Sequence, residues 1–480
     1  MVLVISVVLI MSIFLVILIG ASNPLAAKKI SLGFSFVVLW LSLILWVDHS
    51  TESLFHSNII VEWLNTVSLS TKWGSLYFGV DQLSLPFILL TGVLTPICII
   101  ISWNSITYLV REFLVFLLMI HLLLIGVFTS LNLLLFYIMF EGILIPMFLM
   151  IGIWGSRKEK ERAAFYFFFF TLAGSLFMLI GIFTIYTYTG TLDYTLLSLQ
   201  SIPYELQFWV FIGFFLSLAV KIPKMPFHIW LPQAHVEAPV AGSVLLAGVL
   251  LKLGGYGFLR FSWTLFPAAS QYFSPIIILL GSIAVIYASL STCRQTDAKK
   301  LVAYSSVAHM GLVTIAIFSG TSEGLVAAII LMLAHGFISS GLFITVTNLY
   351  DRFHTRIIRY YKGVVYTMPV YSTLFFLLIL ANIAFPVSMN FIGEFMSILS
   401  AFQFSFLAIL CPLAGMVLSG AYSLLFYNKI SFGYPSSFLQ FARDINRREL
   451  WPPLILILLA VILGLTPTCL DITLCLPYIY

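Results

Sequence analysis

The chain reads as a succession of long apolar runs separated by short breaks rich in Pro, Gly, Asn and charge. The runs lie at 2–20, 30–47, 82–102, 112–130, 131–152, 163–189, 207–222, 240–261, 274–293, 300–319, 323–349, 368–385, 404–427 and 452–469. Most are near the length of about 20 residues with which an α-helix crosses a bilayer. The stretch 112–152 is too long for one crossing, so its polar segment 129–132 is expected to separate two antiparallel helices. The first run has no basic region before it and no small-residue cleavage pattern after it, so it is expected as a span and not as a signal peptide. The pattern predicts an all-α polytopic membrane protein with about 14 transmembrane helices.

Charge tests that count, because loops must alternate between the two sides. One set of alternate loops holds Lys28, Lys29, Arg111, Arg157, Lys158, Lys160, Arg162, Arg294, Lys299, Lys300, Arg352, Arg356, Arg359, Lys362, Lys429, Arg443, Arg447 and Arg448, which is 18 of the 23 Lys and Arg residues. The opposite set holds Lys72 and Arg260, while the loop acids divide eight to a side. Lys and Arg, not net charge, orient a membrane chain. A miscount of one span midway would have scrambled the asymmetry, so both termini are placed opposite the basic side.

Composition narrows the class. Hydrophobic residues make up 61% and charged residues 9%, with a mean hydropathy of +1.10. A soluble protein carries roughly 25% charged residues, so a soluble enzyme, a disordered chain and a nucleic-acid-binding domain are excluded. Cys98, Cys293, Cys411, Cys469 and Cys475 are scattered, without C-x-x-C or histidines at ligand spacing, and read as small apolar residues. There is no GxGxxG, no P-loop and no Cys or His array suited to haem or an iron–sulfur cluster. The chain is expected to hold no redox cofactor, nucleotide or metal.

Five charged residues fall inside or at the edge of spans: Glu141, Lys221, Lys224, Lys252 and Glu394. Each such charge costs about 2.5–3.5 kcal/mol on an insertion scale, and such residues mark ion or proton pathways. Glu141 lies about ten residues into its span, near the bilayer midplane. It is either a protonated carboxyl held in a bundle or a proton carrier paired with a buried base. Lys221 closes an apolar run and is followed by Pro223, Pro226 and Pro232, so the helix must break there. Non-helical backbone at membrane depth is tolerated only where protein buries it or a wet cavity adjoins it. Lys224, nearer the exit, suits an interfacial anchor. Lys252 is midway along its span among Gly248, Gly254, Gly255 and Gly257. Burial disfavours the charged amine, which lets a lysine exchange its proton near neutral pH; the plainer reading is an interhelical ion pair.

His309 and His335 lie mid-span on consecutive helices beside Ser305, Ser306, Ser339 and Ser340, which suit a hydrated relay. Histidine passes protons through either ring nitrogen. His121 stands alone on an apolar span and reads as structural. Glu394 follows a second break around Pro386. Two interrupted spans, one in the middle and one towards the end, are the sequence pointer to an inverted-repeat transporter.

Segment 219–257, AVKIPKMPFHIWLPQAHVEAPVAGSVLLAGVLLKLGGYG, resembles the signature of the antiporter-like membrane subunits of respiratory NADH:quinone oxidoreductase, or complex I. Segments 297–310 (DAKKLVAYSSVAHM), 331–343 (LMLAHGFISSGLF), 390–395 (NFIGEF) and 140–147 (FEGILIPM) match the same family. Within it the chain is most similar to the M-type branch, whose paralogues usually carry Lys where Glu394 stands. Small departures are Gln82 after Asp81, where Gly is usual, and Val387 after Pro386, where a small residue or Leu is commoner.

The resemblance implies two inverted five-helix repeats, 112–262 and 272–430, with two discontinuous helices. N-terminal helices over 1–111 precede the repeats, and a loop with a last helix over 431–480 follows them. It implies that Glu141 and Lys221 form a coupling ion pair, that Lys252 is the central proton-holding lysine, that His309 and His335 continue the relay, and that Glu394 is the exit carboxylate. FMN, iron–sulfur clusters, NADH and ubiquinone would be held by other subunits. Expected partners are neighbouring antiporter-like and other membrane-arm subunits and the bilayer, with cardiolipin among its lipids, and no nucleic acid. The 44 phenylalanines and the missing presequence suit a mitochondrially encoded inner-membrane chain, with a bacterial plasma membrane as the alternative. The rival functions are a cation/proton antiporter subunit and a passive scaffold for a redox arm; the scaffold gives no reason for titratable groups at midplane depth.

Overall fold

The computed structural model describes residues 1–47, 56–62, 75–436 and 443–470. Lys72 and Cys475 lie outside them. Among the described residues, 13 helices are long and apolar enough to cross a membrane, and they follow the expected runs in order. The remaining run, 368–385, forms Pro369–Asn382, a helix of 14 residues. At 1.5 Å per residue it reaches about 21 Å, short of the roughly 30 Å hydrocarbon core. The chain breaks after it and resumes helix at Met389–Phe404, so the fourteenth span is discontinuous. The one strand pairing beyond isolated bridges, among the described residues, is the antiparallel pairing of His56–Glu62 with Ser75–Val80.

The polar segment 129–132 separates two helices as expected, and the reason is local. Asn132 caps Leu133–Gly142 by accepting from the Leu134 and Leu135 amides, and its Nδ2 donates to Asp193 Oδ1 at 3.0 Å. The Leu131 amide donates to the Tyr77 carbonyl at 2.9 Å, tying the turn to a neighbouring strand. Capping of this kind satisfies amides that a helix start leaves free.

Both expected breaks are present. Tyr204–Lys221 ends at the lysine itself, and helix resumes at Trp230–Glu237. In the second break Ala384 and Val387 adopt φ of 64° and 86°. Left-handed backbone costs a non-glycine residue about 1–2 kcal/mol, and a β-branched residue there is a genuine outlier. Gly464 of the last helix lies so close to the Val387 carbonyl and Met389 amide that a Cβ would collide with them. The surrounding packing thus holds the strained break.

Two further irregularities were not foreseen. The Leu133–Trp154 span is interrupted at Ile143, where Pro146 has no amide to offer the Gly142 carbonyl. The Val240–Leu265 span contains two π-helical turns, Leu246–Leu250 and Phe258–Ser262. π-turns inside helices recur at functional sites. Titratable residues stand within two positions of these features: Glu141 before the first, Lys252 after the first π-turn, and Arg260 within the second.

The chain forms two compact units. One comprises Met1–Lys221 and Tyr256–Ser270; the other comprises Ile222–Gly255 and Gln271–Leu476. In the second unit the Ala298–Phe318 and Ser322–Phe353 helices are 94% and 100% buried over their apolar windows, against 28% for Val2–Gly20 in the first. The helices that carry His309 and His335 are thus almost wholly enclosed.

Candidate functional site

Four of the six expected residues lie in the second unit, and the fold brings them into one file. Lys252 is fully buried, and its Nζ stands 2.9 Å from His335 Nδ1. The same ammonium donates to the Ala247 carbonyl, which belongs to the π-turn just before it. A π-turn shifts the backbone pairing from i−4 to i−5 and leaves a carbonyl open to a side chain. The His335 and His309 rings are 5.7 Å apart between centroids. His309 Nδ1 lies 3.0 Å from Glu394 Oε1, and both side chains are buried. The distance suits an ion pair, although the ring N–H is not turned along the N–O line.

Close helix packing sets this geometry. Gly393 lets Met389–Phe404 approach Ser322–Phe353 until a Cβ at 393 would stand about 3 Å from the Leu331 backbone. Gly255 lies against Met332 just as closely. Small residues at such contacts allow helices to approach where lipid supplies no hydrophobic drive. The serines expected to hold water spend their donors within their own helices. Ser305 and Ser306 donate to the Val302 carbonyl, Ser339 to the His335 carbonyl and Ser340 to the Gly336 carbonyl. Their lone pairs remain available as acceptors only.

The other two expected residues lie in the first unit. Lys221 is buried, with Nζ 4.3 Å from the centroid of the Phe140 ring. Both Glu141 oxygens are shielded from solvent, beside Ser175 and within electrostatic reach of Lys221. An aromatic face attracts an ammonium, and more strongly when water is excluded. Lys224 is also buried, with Nζ 5.3 Å from the centre of the Phe318 ring, so the expectation of an interfacial anchor is corrected. An anchor needs its head in water, and here ring and protein surround it.

Sequence reasoning missed a second group of buried charges in the second unit. Lys299 and Arg356 read as loop residues in the sequence, yet they are 2% and 1% exposed. Arg356 Nη1 pairs with Glu237 Oε1 at 3.3 Å, and its guanidinium lies 4.9 Å from the Tyr350 ring centre. Lys299 Nζ donates to the Ala238 carbonyl at 3.3 Å. His235, fully buried, stacks on Phe343 at 4.7 Å between centroids and feels the charges of Lys299 and Lys252. The one available signal was that 234–237 follows a proline-broken segment. Arg260, in the first unit, also reads as a loop charge in the sequence; it is 4% exposed and paired with Asp81.

Together these features define a polytopic helical membrane protein that buries titratable side chains within its helices. Residues 130–419, which include all six expected site residues, match the family model described as NADH:quinone oxidoreductase/Mrp antiporter, TM. The chain belongs to that family. It is 56% identical over 446 residues to NADH-ubiquinone oxidoreductase chain 4 of Metridium senile, covering 93% of this chain and 91% of that one. The chain 4 protein of Chondrus crispus is 46% identical over 462 residues, covering 95% and 92%. A chain in the structure of respiratory complex I from Thermus thermophilus with bound NADH superposes with a TM-score of 0.89 at 27% identity, covering 99% of this chain and 98% of that one.

Proposed function

We infer that the chain is the chain 4 subunit of respiratory NADH:ubiquinone oxidoreductase, a core membrane subunit that couples electron transfer from NADH to ubiquinone with proton translocation. It is a multi-pass protein of the mitochondrial inner membrane. It takes part in the enzyme as a non-redox subunit of a proton-translocating reductase. FMN, the iron–sulfur clusters and the NADH and ubiquinone sites belong to other subunits. Its neighbours are other membrane-arm subunits and the bilayer, with cardiolipin among the lipids. The antiporter alternative is the weaker one, because the relatives matched along nearly the full chain are named as chain 4.

The observation that carries the mechanism is the file Lys252–His335–His309–Glu394. With Lys252 protonated and His335 Nδ1 bare, the 2.9 Å contact lets the ammonium donate a proton to the ring. Once Nδ1 accepts it, the imidazolium can release the other ring proton towards His309. Rotation of a ring or one intervening water closes that step, since no direct hydrogen bond joins the two rings. His309 then delivers to Glu394, five residues into its helix and just past the strained break. In the first unit, Glu141 and Lys221 hold one another's charge, and loosening that pair is the switch that coordinates this subunit with its neighbour.

Glu394 tests the reading. A proton-exchanging carboxylate and a hydrogen-bonding prop for the broken backbone part at one substitution, because Gln keeps most hydrogen bonds and cannot titrate. In the purified complex reconstituted into vesicles, Glu394→Gln should block NADH-driven proton pumping and Glu394→Asp should retain part of it. Glu394→Lys should fall between them with an altered pH profile. An assembled Glu394→Gln complex that pumps at the wild-type rate would move the exit elsewhere.

A further inference from the structure

Three cations outside the buried file converge without a counter-charge. Arg359, Lys362 and Lys429 line a cavity of about 650 Å³ together with Gln295, Thr296, Ile358, Phe432, Gly433 and Tyr434, all in the second unit. No carboxylate lines the cavity. The three cationic side chains are exposed, and none of them hydrogen-bonds or ion-pairs with a described residue. This contrasts with Arg352 and Arg356, which lie close by in sequence and are each paired with a glutamate.

The walls are built, not loosely draped. The Ile358 amide donates to the Thr296 carbonyl at 2.9 Å and the Ala298 amide to the Arg356 carbonyl at 2.9 Å. On the other side the Gly363 amide donates to the Phe432 carbonyl at 3.2 Å and the Ser436 amide to the Lys362 carbonyl at 3.1 Å. Gly363 has φ of 70°, and its α-carbon faces the Gly433 carbonyl and Pro435 so closely that no side chain fits. Three separate segments are thus knitted around one basic opening.

The surroundings identify the ligand's other end. The opening lies where Pro267–Arg294 and Phe406–Ser431 finish, on the side of the basic loops. Those two helices touch where Gly415 meets Val285. Between that contact and the cavity they carry exposed apolar side chains: Tyr287 and Leu290 on one, Leu424 and Leu425 on the other. At the mouth, Phe432 is 55% and Tyr434 94% exposed, as aromatic residues are at a membrane–water interface. Phosphate oxygens would meet guanidinium and ammonium donors while acyl chains lie along the exposed apolar flank.

We propose that this cavity binds the phosphate headgroup of an anionic phospholipid, with Arg359, Lys362 and Lys429 as its ligands. Basic pockets between membrane helices on the cytoplasmic or matrix side are suited to such headgroups. Phosphate itself is the shared chemistry, and the apolar flank favours the lipid over free inorganic phosphate. The proposal rests on the membrane-subunit reading for the presence of lipid, and it stands or fails separately from the proton file.

The test uses the whole complex in nanodiscs containing a photoactivatable phosphatidylglycerol. Labelled peptides are mapped by mass spectrometry, with photoactivatable phosphatidylcholine as the neutral comparison. Wild type should label peptides around 358–362 and 429–434 with phosphatidylglycerol and far less with phosphatidylcholine. Retention should fall by roughly fivefold for each charge removed in Arg359→Gln, Lys362→Gln and Lys429→Gln. Arg359→Lys should recover much of the loss, which separates charge from folding. NADH oxidation in each variant reports that the complex has assembled. Equal labelling by both lipids, or labelling unchanged in the triple variant, would overturn the proposal. Inorganic phosphate abolishing the label at millimolar concentration would assign the site to a free anion, and no label in the intact complex would mean that another subunit covers it; either outcome also overturns it.

Discussion

Replacing Lys252 with Ala should abolish NADH-driven proton pumping through this subunit while the complex still assembles. Lys252 has two polar contacts in a fully buried setting, the His335 ring and the Ala247 carbonyl. Alanine removes the only group at that position able to hold a proton, and it leaves no charge behind to destabilise the bundle. A positioned proton-transfer side chain contributes about 10²–10⁴-fold to its step, so the pumping rate should drop by about a hundredfold or more. Lys252→Arg keeps the charge but not the ability to release it, because a guanidinium does not deprotonate in proteins. Arg should therefore be nearly as damaging as Ala. A structural ion pair predicts the opposite ranking, with Arg close to wild type. Pumping measured by lumenal acidification in vesicles, alongside NADH oxidation, separates the two.

The second large effect is at Glu141 and Lys221. The two groups interact electrostatically without forming an ion-pair contact, and removing one partner of a charge pair strands the other, at a cost of up to about 3–5 kcal/mol when both are buried. Glu141→Gln leaves the Lys221 ammonium with the Phe140 ring and no carboxylate. Lys221→Met leaves the Glu141 carboxylate shielded from solvent beside Ser175. Each single variant should lose most pumping and some assembly. The double variant should be far less severe than the sum, with a coupling of about 0.5–3 kcal/mol in the cycle. Additive losses would show that the two groups do not act on one another.

How legible all this was depended on which physical signal carried each feature. Span number and order came from apolar run length and from the Lys and Arg bias, both of which act over many residues. The two discontinuities were legible because Pro223, Pro226 and Pro386 remove backbone donors regardless of tertiary context. The π-turns around Lys252 and Arg260 were not, since they are stabilised by the side chains and carbonyls that meet there and not by any residue type in the sequence. Burial of Lys299 and Arg356 was hidden for a related reason. A basic residue in a short loop looks the same in sequence whether its partner is water or Glu237. Individual site residues were readable as unusual charges in apolar runs. Their adjacency was not, because Lys252, His335, His309 and Glu394 come from four helices and meet only through close contacts such as those of Gly255 and Gly393.

The central claim is that protons travel through the Lys252–His335–His309–Glu394 file. The most direct test is the protonation of Glu394 itself, followed by infrared difference spectroscopy of the complex during NADH-driven turnover. A protonated-carboxyl C=O band should appear and decay in step with turnover, shift in D2O, disappear in Glu394→Gln and be lost when Lys252 is replaced by Ala. A Glu394 carboxyl whose band stays constant through turnover, or that cycles normally in the Lys252→Ala complex, would contradict it.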